Sequence, residues 1–546
     1  MQSTYIAMNG LYTQFTTLVK GVDVFYSLMC GSMVLFMQCG FIMICIGSIL
    51  PSSPSLTRIK DVLLQYIIAS FSAMLGFWTI GFGLAYQRGA FLGTSGERFF
   101  LQDYTNYIDF FFQSTFAITV ASIVVGTIVT SSTSGQHFKM IGCILYSFFL
   151  TAFVYPVIAH TIWNDDGFLS AFSDEPRGGV GMIDFAGSGV VHVTSGATAL
   201  VAAIILRRSS SRSRTPCIST STIDAAASGN PTSWSFLPHC SILLQVLGTF
   251  AVWVGWYGFN AGSTLSISPP GYGDAAALCA VTTTLSATCG GITCMSFDAL
   301  FAFTGGHLWR KPTALNENEG RHHENHASST SFVEYDISMV LKGCLSGLVA
   351  ITGCSSVVEP WAACIIGCVS GILYILSSNL ILMKFFKVHD SMGTISIHLI
   401  NGIWGCIATG IFASPRHVAN AFGFNAHYSG LLYVGSSNGT LFVNEILGIV
   451  FILAWTIGTM TLIFLLLLKM GMLLKDDYPT DIAGSSIYGE NQHHQGGEGE
   501  TEMLTKCIQD EHDDEHEAAP PENENYEENE NHNPQDNFMN DQSKIV

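Results

Sequence analysis

The sequence predicts an all-α membrane protein that crosses the bilayer many times. Of its 546 residues, 49% are hydrophobic and only 12% are charged, and the mean hydropathy is +0.39. Soluble domains typically carry about 25% charged residues. The apolar residues also fall into runs of about 20, the length of a helix that spans the hydrocarbon core. These observations exclude an ordinary soluble globular protein.

Eleven apolar runs have the length and composition of transmembrane helices. We predict spans at residues 25–49, 62–86, 107–130, 140–163, 185–206, 241–261, 275–304, 336–356, 360–383, 394–413 and 443–470. An odd number of spans places the two termini on opposite sides of the membrane. The predicted organisation is an N-terminal segment, a transmembrane domain and a tail, at residues 1–24, 25–475 and 476–546.

Lysine and arginine are distributed unequally between alternate loops. One set of loops carries fourteen of these residues and the other set carries five. By the positive-inside rule the richer set is cytoplasmic. The N-terminus is then extracellular, whereas the tail and two long polar loops, 207–240 and 305–335, are cytoplasmic, as expected for a multi-pass plasma-membrane protein. The sequon at Asn438 falls on the predicted outer side, close to the last span.

The net charge of −19 comes almost entirely from the tail. Residues 476–546 hold 20 acidic residues against Lys506 and Lys544, which gives −18 and leaves −1 for the rest of the chain. Asparagine, glutamate and proline dominate this tail. Because it has too few aliphatic residues to form a core, we expect it to be disordered.

Motifs for several other functions are missing from the sequence. It contains no GxxxxGK[ST] loop for ATP, and no nucleophile with a base and an orienting group. The 15 cysteines show no metal-ligand spacing. The pairs His322-His323 and His493-His494 lie in polar segments, where solvated linker residues are the commoner interpretation. We therefore expect no enzyme, no cofactor, no metal and no nucleic-acid partner.

Two stretches share the pattern D-x2-G-x4-H-x3-G: "DFAGSGVVHVTSG" from Asp184 and "DSMGTISIHLING" from Asp390. They head the fifth and tenth spans, which run in opposite directions across the membrane. Spans 1–5 and 6–10 are therefore predicted to form an inverted repeat. Transporters commonly place their site near the midplane at such a repeat interface.

His192 and His398 follow the two aspartates by eight residues, about 12 Å along a helix. A single buried histidine in a membrane helix is about as often a packing residue, which donates a hydrogen bond to a neighbouring carbonyl, as it is part of a transport path. Two at equivalent positions favour the lining of a substrate or proton path. We interpret Asp184 and Asp390 as helix N-caps, and the glycines three and twelve residues after each aspartate as sites of close helix approach. A narrow path of this kind suits a small hydrogen-bonding solute.

Several segments together resemble the ammonium transporter family (the Amt/Mep/Rh superfamily), especially its eukaryotic Amt type. They occur in the order "VDVFYSLMCGSMVLFMQCGF", "FFFQSTFAITVASIVVG", "FVYPVIAHTIW", "DFAGSGVVHVTSGATALVAA", "VWVGWYGFNAGS" and "HLINGIWGCIATGIFA". The resemblance covers residues 22 to 475. It implies an eleven-helix inverted-repeat protomer, a homotrimer with one pore per subunit, and import of ammonium, with methylammonium as a related substrate.

The resemblance also implies roles for individual residues. The outer recruitment site would be formed by Phe112, Trp163 and Ser263. The stacked gate would be Phe116 and Phe259. The paired pore histidines would be His192 and His398, with structural support from Asp184 and, in the second repeat, Asp390.

Desolvation suggests a mechanism for such a site. Ammonium held over Trp163 gains cation–π energy, and leaving water makes it a stronger acid. It would lose its proton past the gate and cross as ammonia beside the imidazoles, while the histidine pair relays the proton. Potassium has no proton to lose, which would explain selectivity.

The second repeat and the tail depart from the family pattern. His389-Asp390 replaces a pair of acidic residues, Gly393 stands where a further aspartate is common, and Tyr488 replaces a histidine of the regulatory tail segment.

The sequence leaves two alternative functions. One is a neutral ammonia or carbon dioxide channel of the Rh type, and the other is an ammonium sensor that signals through its tail to unknown partners. Trp163 and Ser263 argue against the gas channel.

Overall fold

The fold is taken from a computed structural model that describes residues 2–50, 56–94, 96–131, 136–210, 237–303, 335–386, 388, 390, 392–422, 428–433 and 439–476. Several predictions concern residues outside these ranges. They are those on the acidic tail, on most of the two long polar loops, on the two histidine pairs, and on Asn438, His389 and Tyr488.

Helices dominate the described chain. The α-helices are α1 Gln2–Ile49, α2 Leu56–Gly76, α3 Phe82–Tyr86, α4 Tyr107–Ser131, α5 Met140–Phe149, α6 Tyr155–Trp163, α7 Thr194–Ser210, α8 Leu237–Asn260, α9 Tyr272–Phe303, α10 Ile337–Thr352, α11 Pro360–Leu376, α12 Asn401–Phe412, α13 Pro415–Phe422 and α14 Thr440–Lys469. π-Helical segments extend several of them, at Phe77–Gly81, Leu150–Val154, Ser188–Val193, Ser377–Phe386 and Ile395–Ile400. Short 3-10 turns lie at Arg177–Gly179 and Ala261–Thr264.

Ten helical stretches in the described part of the chain are long and apolar enough to cross a membrane. They correspond to ten of the predicted spans, and they confirm the prediction of an all-α polytopic membrane protein. The remaining predicted span, 336–356, corresponds to α10, an apolar helix of 16 residues. At 1.5 Å per residue this helix is about 24 Å long, short of a hydrocarbon core of about 30 Å. The count of eleven spans therefore stays a prediction.

The first helix is much longer than its predicted span. α1 contains 48 residues and begins at Gln2, 23 residues before the span predicted at 25–49. At 1.5 Å per residue it is about 72 Å long, more than twice the hydrocarbon thickness. Hydropathy predicts only the part of a helix that lies in lipid. The helix itself continues toward the N-terminus, because residues 2–24 contain no proline that would end it.

Glycines let the equivalent helices of the two repeats touch. A Cβ added to Gly40 of α1 would lie 2.6 Å from the carbonyl oxygen of Gly248 in α8, and one added to Gly248 would lie 2.8 Å from the carbonyl oxygen of Gly40. The fifth and tenth predicted spans meet in the same way. A Cβ at Gly196 would lie 2.7 Å from Cα of Leu399, and one at Gly402 would lie 2.7 Å from the carbonyl oxygen of Ser188.

This close approach predicts that Gly196→Ala destabilises the protein by about 1–3 kcal/mol, because the new methyl group meets the backbone of Leu399 rather than a movable side chain. Gly458→Ala is the matched control, since a Cβ there meets nothing within 4 Å. Thermal unfolding of the purified variants in detergent measures both. Equal midpoints for the two variants would contradict this account of the crossing.

The helix that carries two of the predicted site residues is enclosed by the others. α4 is buried continuously from Phe112 to Val129. A two-stranded antiparallel sheet, β1 Gln136–Phe138 and β2 Leu474–Asp476, pairs the segment after α4 with the segment after α14, with His137 opposite Lys475. α4 is therefore enclosed by its neighbours, and so are the side chains of Phe112 and Phe116.

Candidate functional site

A cavity of about 400 Å³ opens beside the C-terminal end of α6. It brings together four residues that the sequence singled out, namely Phe112, Phe116, Trp163 and Ser263. Its other walls come from the neighbouring helices and loops, and they are Tyr86, Asp109, Gln113, Asp165, Phe172, Phe185, Thr264, Leu265, Ser266, Tyr272, Ala275 and Ala421. The cavity thus combines aromatic faces with hydroxyl and carboxylate oxygens.

The indole of Trp163 is fixed in orientation at the wall of this cavity. Its Nε1–H donates to the carbonyl oxygen of Asp184 over 2.7 Å. The ring meets Phe116 edge to face, with centroids 5.9 Å apart at 87°. Ser263, in the 3-10 turn after α8, donates its hydroxyl hydrogen to the carbonyl oxygen of Phe259 over 2.8 Å. Its hydroxyl oxygen can still accept a hydrogen bond from a ligand.

Two phenylalanine rings lie between this cavity and the first histidine. Phe116 of α4 and Phe259 of α8 have ring centroids 4.2 Å apart and both are buried. Phe259 in turn stacks on His192, with centroids 5.7 Å apart. Phe112 packs on Phe116 at 5.0 Å, one turn earlier on α4. The aromatic residues therefore form one contact chain from the cavity to His192.

The two histidines contact each other directly. Nδ1 of His192 lies 3.1 Å from Nδ1 of His398, and the ring planes are 24° apart. One hydrogen can be shared between these two nitrogens, so one imidazole donates and the other accepts. The other ring nitrogens then differ in character: one Nε2 is an acceptor and the other carries a hydrogen. Nε2 of His192 is buried and has no hydrogen-bond partner among the described residues.

Each aspartate of the repeated motif binds the start of the helical segment that carries its histidine. Oδ2 of Asp184 accepts from the backbone N–H groups of Gly189 and Val190, at 2.9 and 2.8 Å. Oδ2 of Asp390 accepts from the N–H groups five and six residues further on, at 2.8 and 3.1 Å. The two half-sites therefore repeat the same backbone geometry.

The glycine three residues after each aspartate has a conformational role in addition to the predicted close approach. Gly187 has φ +107° and Gly393 has φ +76°, in the left-handed region that favours glycine. These turns redirect the chain into the π-helical segments that hold the histidines. The second glycine of each motif, Gly196 or Gly402, approaches the backbone of the facing helical segment, whereas a Cβ at Gly187 would meet the ring of Trp163 at 3.1 Å. The prediction of about 12 Å between each aspartate and its histidine assumes a regular α-helix. The segment between them contains a left-handed glycine and a π-helix, so its rise per residue differs from 1.5 Å.

The two aspartates have different charged neighbours. Burial raises the pKa of each carboxyl group to about 6, and the backbone N–H bonds oppose that rise. At Asp390 the ammonium group of Lys342 opposes it as well. Near Asp184 stands another acid, Glu445 of α14, whose Oε1 accepts from the backbone N–H of Ile183 over 2.8 Å. The two ends of the repeated site are therefore alike in backbone and unlike in charge.

Three residues at this site were not anticipated from the sequence. Trp256 stacks on His192 with centroids 5.2 Å apart and planes at 13°, and Asp109 and Asp165 line the cavity. Trp256 precedes Phe259 by three residues, so helical spacing places both on one face of α8. This spacing is the sequence signal that could have placed Trp256 next to the histidines. Among the described residues, no group of three His, Cys, Asp or Glu side chains is arranged to hold a metal ion.

The fold defines a polytopic helical membrane protein, in which a buried pair of histidines lies next to the aromatic residues of a cavity. A family model described as the Ammonium Transporter Family matches residues 25–305 and 327–488. The chain belongs to this family. It is accordingly a multi-pass membrane transporter and not an enzyme.

Relatives and solved structures agree with this assignment. The chain is 31% identical over 488 residues to ammonium transporter 1 member 3 of Solanum lycopersicum, covering 86% of this chain and 92% of the relative. It is 31% identical over 464 residues to ammonium transporter Amt2 of Archaeoglobus fulgidus, covering 82% and 83%. A structure titled Sensor Amt Protein superposes with TM-score 0.61 at 26% identity, covering 87% of this chain and 100% of that one. Mep2 of Saccharomyces cerevisiae, at 23% identity with TM-score 0.60 and covering 84% and 90%, shares the fold.

Proposed function

We propose that this protein recruits ammonium as the cation, removes its proton at the phenylalanine gate and passes ammonia along the two histidines. The observation that carries the proposal is the contact chain from Trp163 through Phe116 and Phe259 to His192 and His398. It joins a cavity suited to a cation to a buried centre suited to a neutral hydrogen-bonding solute.

Recruitment depends on the cavity wall. A cation over an indole face gains about 0.5–2 kcal/mol, more where water is excluded. Trp163 cannot turn away, because its Nε1–H is bonded to the backbone of Asp184. Phe112 supplies a second aromatic face, and Ser263 supplies an oxygen that accepts from an ammonium N–H.

Deprotonation follows from the packing of the gate. Phe116 and Phe259 lie in contact and offer no polar atom, so a solute between them loses its water. Loss of water disfavours the charged form and lowers the pKa of an amine. The proton passes to Nε2 of His192, which is buried and has no hydrogen-bond partner among the described residues, in the tautomer in which this nitrogen is an acceptor. The shared hydrogen then moves from Nδ1 of His192 to Nδ1 of His398, and a proton leaves from Nε2 of His398. Ammonia crosses separately and exchanges hydrogen bonds with the two rings. Potassium also has to lose its water at the gate, but it has no proton to release and so cannot cross in a neutral form. The gate therefore selects ammonium over potassium.

We further propose that the cavity and the N-terminus face outward in the plasma membrane, that the tail is cytoplasmic, and that the protein is a homotrimer. The loop charges support the orientation, and the family resemblance supports the trimer. Epitope tags at residue 1 and residue 546, probed with antibody before and after permeabilisation, test the orientation.

A sensor is the alternative function that one similarity favours, since a structure titled Sensor Amt Protein covers 87% of this chain. In that reading the pore fold detects ammonium and the acidic tail recruits a partner. Deleting residues 491–546 separates the two functions. A transporter keeps its uptake, whereas a sensor loses its ammonium response in the host cell.

Trp163→Leu is expected to raise the KM for methylammonium about 2- to 30-fold, the equivalent of the cation–π energy. Trp361→Leu is the matched control, because Trp361 is 47% exposed at the start of α11 and does not line the cavity. Uptake and current in expressing oocytes, at constant surface expression and with excess potassium, measure both. An equal KM in the two variants would remove Trp163 from the recruitment site.

A further inference from the structure

Two carboxylates lie at the cavity in addition to the recruitment residues. Asp109 is on α4, three residues before Phe112, so the two side chains share a helix face. Asp165 follows Trp163 by two residues, in the loop after α6. Both line the same cavity as the aromatic rings. A cation in that cavity is therefore within the field of two acidic groups.

Asp109 is held by contacts on one side of its carboxylate. The Tyr104 hydroxyl donates to Oδ2 over 2.8 Å, and Nη2 of Arg98 lies 3.9 Å from the same oxygen. Among the described residues no hydrogen bond is made to Oδ1. The side chain is about 20% exposed. These contacts fix the direction of the carboxylate without covering it.

Arg98 contacts Asp109 but is not part of the cavity wall. Its guanidinium lies over the rings of Tyr104 and Phe82, 5.3 and 5.8 Å from their centroids, and donates to the carbonyl oxygen of Tyr86 over 2.8 Å. It is absent from the cavity lining, and no lysine or arginine of the described chain is present there. The charged side chains of the wall are therefore the two carboxylates, and Arg98 approaches Asp109 from outside the lining, with Nη2 at 3.9 Å from Oδ2.

We propose that Asp109, with a smaller contribution from Asp165, sets the affinity of this cavity for ammonium by attracting the cation before it reaches the gate. The inference rests on the proposed transport function and extends it. A charge acts on ammonium and not on ammonia, and at a few ångströms it acts strongly where water is partly excluded. Asp165 is exposed and more fully screened. The two residues raise the local concentration of the charged substrate and do not act in its deprotonation.

The structural alternative is that Asp109 only stabilises α4. It lies in the first turn of this helix, where a negative charge interacts favourably with the helix dipole and so stabilises the helix. That role predicts fewer folded molecules at the membrane, with unchanged kinetics for each. The electrostatic role predicts a changed KM at unchanged turnover, so the two accounts differ in a measurable quantity.

The test is methylammonium uptake by Asp109→Asn, Asp109→Glu, Asp165→Asn and Asp174→Asn, with KM and turnover per surface molecule. We expect Asp109→Asn to raise KM about 3- to 10-fold and Asp165→Asn about 2-fold, with turnover within about 2-fold. Asp109→Glu keeps the charge and is expected to keep KM near the wild-type value. Asp174→Asn removes an exposed charge from the same connecting segment as Asp165 but outside the cavity, and leaves KM unchanged.

A wild-type KM in Asp109→Asn, or reduced turnover at unchanged KM, overturns the inference. If Asp109→Asn does not reach the surface, the same KM in Asp165→Asn as in Asp174→Asn overturns it. Failure of the proposed transport function looks different, because wild-type cells then take up no more methylammonium than cells without the protein. In that event methylammonium titration of the purified protein, followed by tryptophan fluorescence, decides: equal Kd values for wild type and Asp109→Asn contradict the inference.

Discussion

His192→Ala is expected to lower saturable ammonium uptake about 5- to 150-fold. The variant removes the partner of Nδ1 of His398, and an unsatisfied buried polar group costs about 1–3 kcal/mol. It also leaves a gap beside Trp256 and Phe259, both of which stack on the imidazole. Uptake of labelled methylammonium and inward current in expressing oocytes, each with and without excess potassium, measure the effect.

The control for this variant is His417→Ala. His417 lies on α13 and pairs with Glu359 at 3.1 Å, outside the contact chain that leads to the gate. Its replacement is expected to leave uptake unchanged, whereas His398→Ala is expected to resemble His192→Ala. Full, potassium-insensitive uptake by His192→Ala would show that the pair is a packing feature and not part of the path.

Asp184→Ala is expected to destabilise the protein by about 2–5 kcal/mol. Two buried backbone N–H groups, of Gly189 and Val190, lose their only acceptor, and each buried unsatisfied group costs about 1–3 kcal/mol. The loss also frees the backbone carbonyl segment that positions Trp163. Thermal unfolding in detergent and the amount of folded protein at the membrane both report the effect.

A graded series separates this helix-capping role from a direct role in transport. Asp184→Asn keeps one oxygen that accepts from the two N–H groups, so it is expected to lose much less stability than Asp184→Ala. Asp174→Ala, an exposed acid of the same connecting segment, is expected to lose none. If Asp184→Ala unfolded at the wild-type temperature but did not transport, the carboxylate would contact the substrate and would not be a cap.

Some features of the site follow directly from local sequence. The spacing of Asp184 and His192 is repeated at Asp390 and His398, so a single pattern locates both halves of the buried centre. Apolar runs of fixed length locate the helices that carry them. Such signals are reliable because they depend only on the period of a helix and the thickness of a bilayer.

Other features depend on tertiary packing and could not be obtained in this way. The π-helical segments at His192 and His398 have no pattern of their own in an apolar run, and the positive φ of Gly187 is not separable in sequence from the close contact at Gly196. Asp109 could be read only as an acid near a helix start. Its place at the cavity depends on how α4 packs against α6 and α8.

Because one hydrogen is shared between the two Nδ1 atoms, the tautomer of each histidine fixes the tautomer of the other. When a proton enters at one outer Nε2 and another leaves at the opposite Nε2, both rings exchange tautomers and the shared hydrogen reverses its donor. A second proton from the same side then meets a nitrogen that is already occupied. In the proposed relay, the pair must therefore return to its first combination of tautomers after each proton, whereas a neutral molecule that passes beside the rings requires no such change.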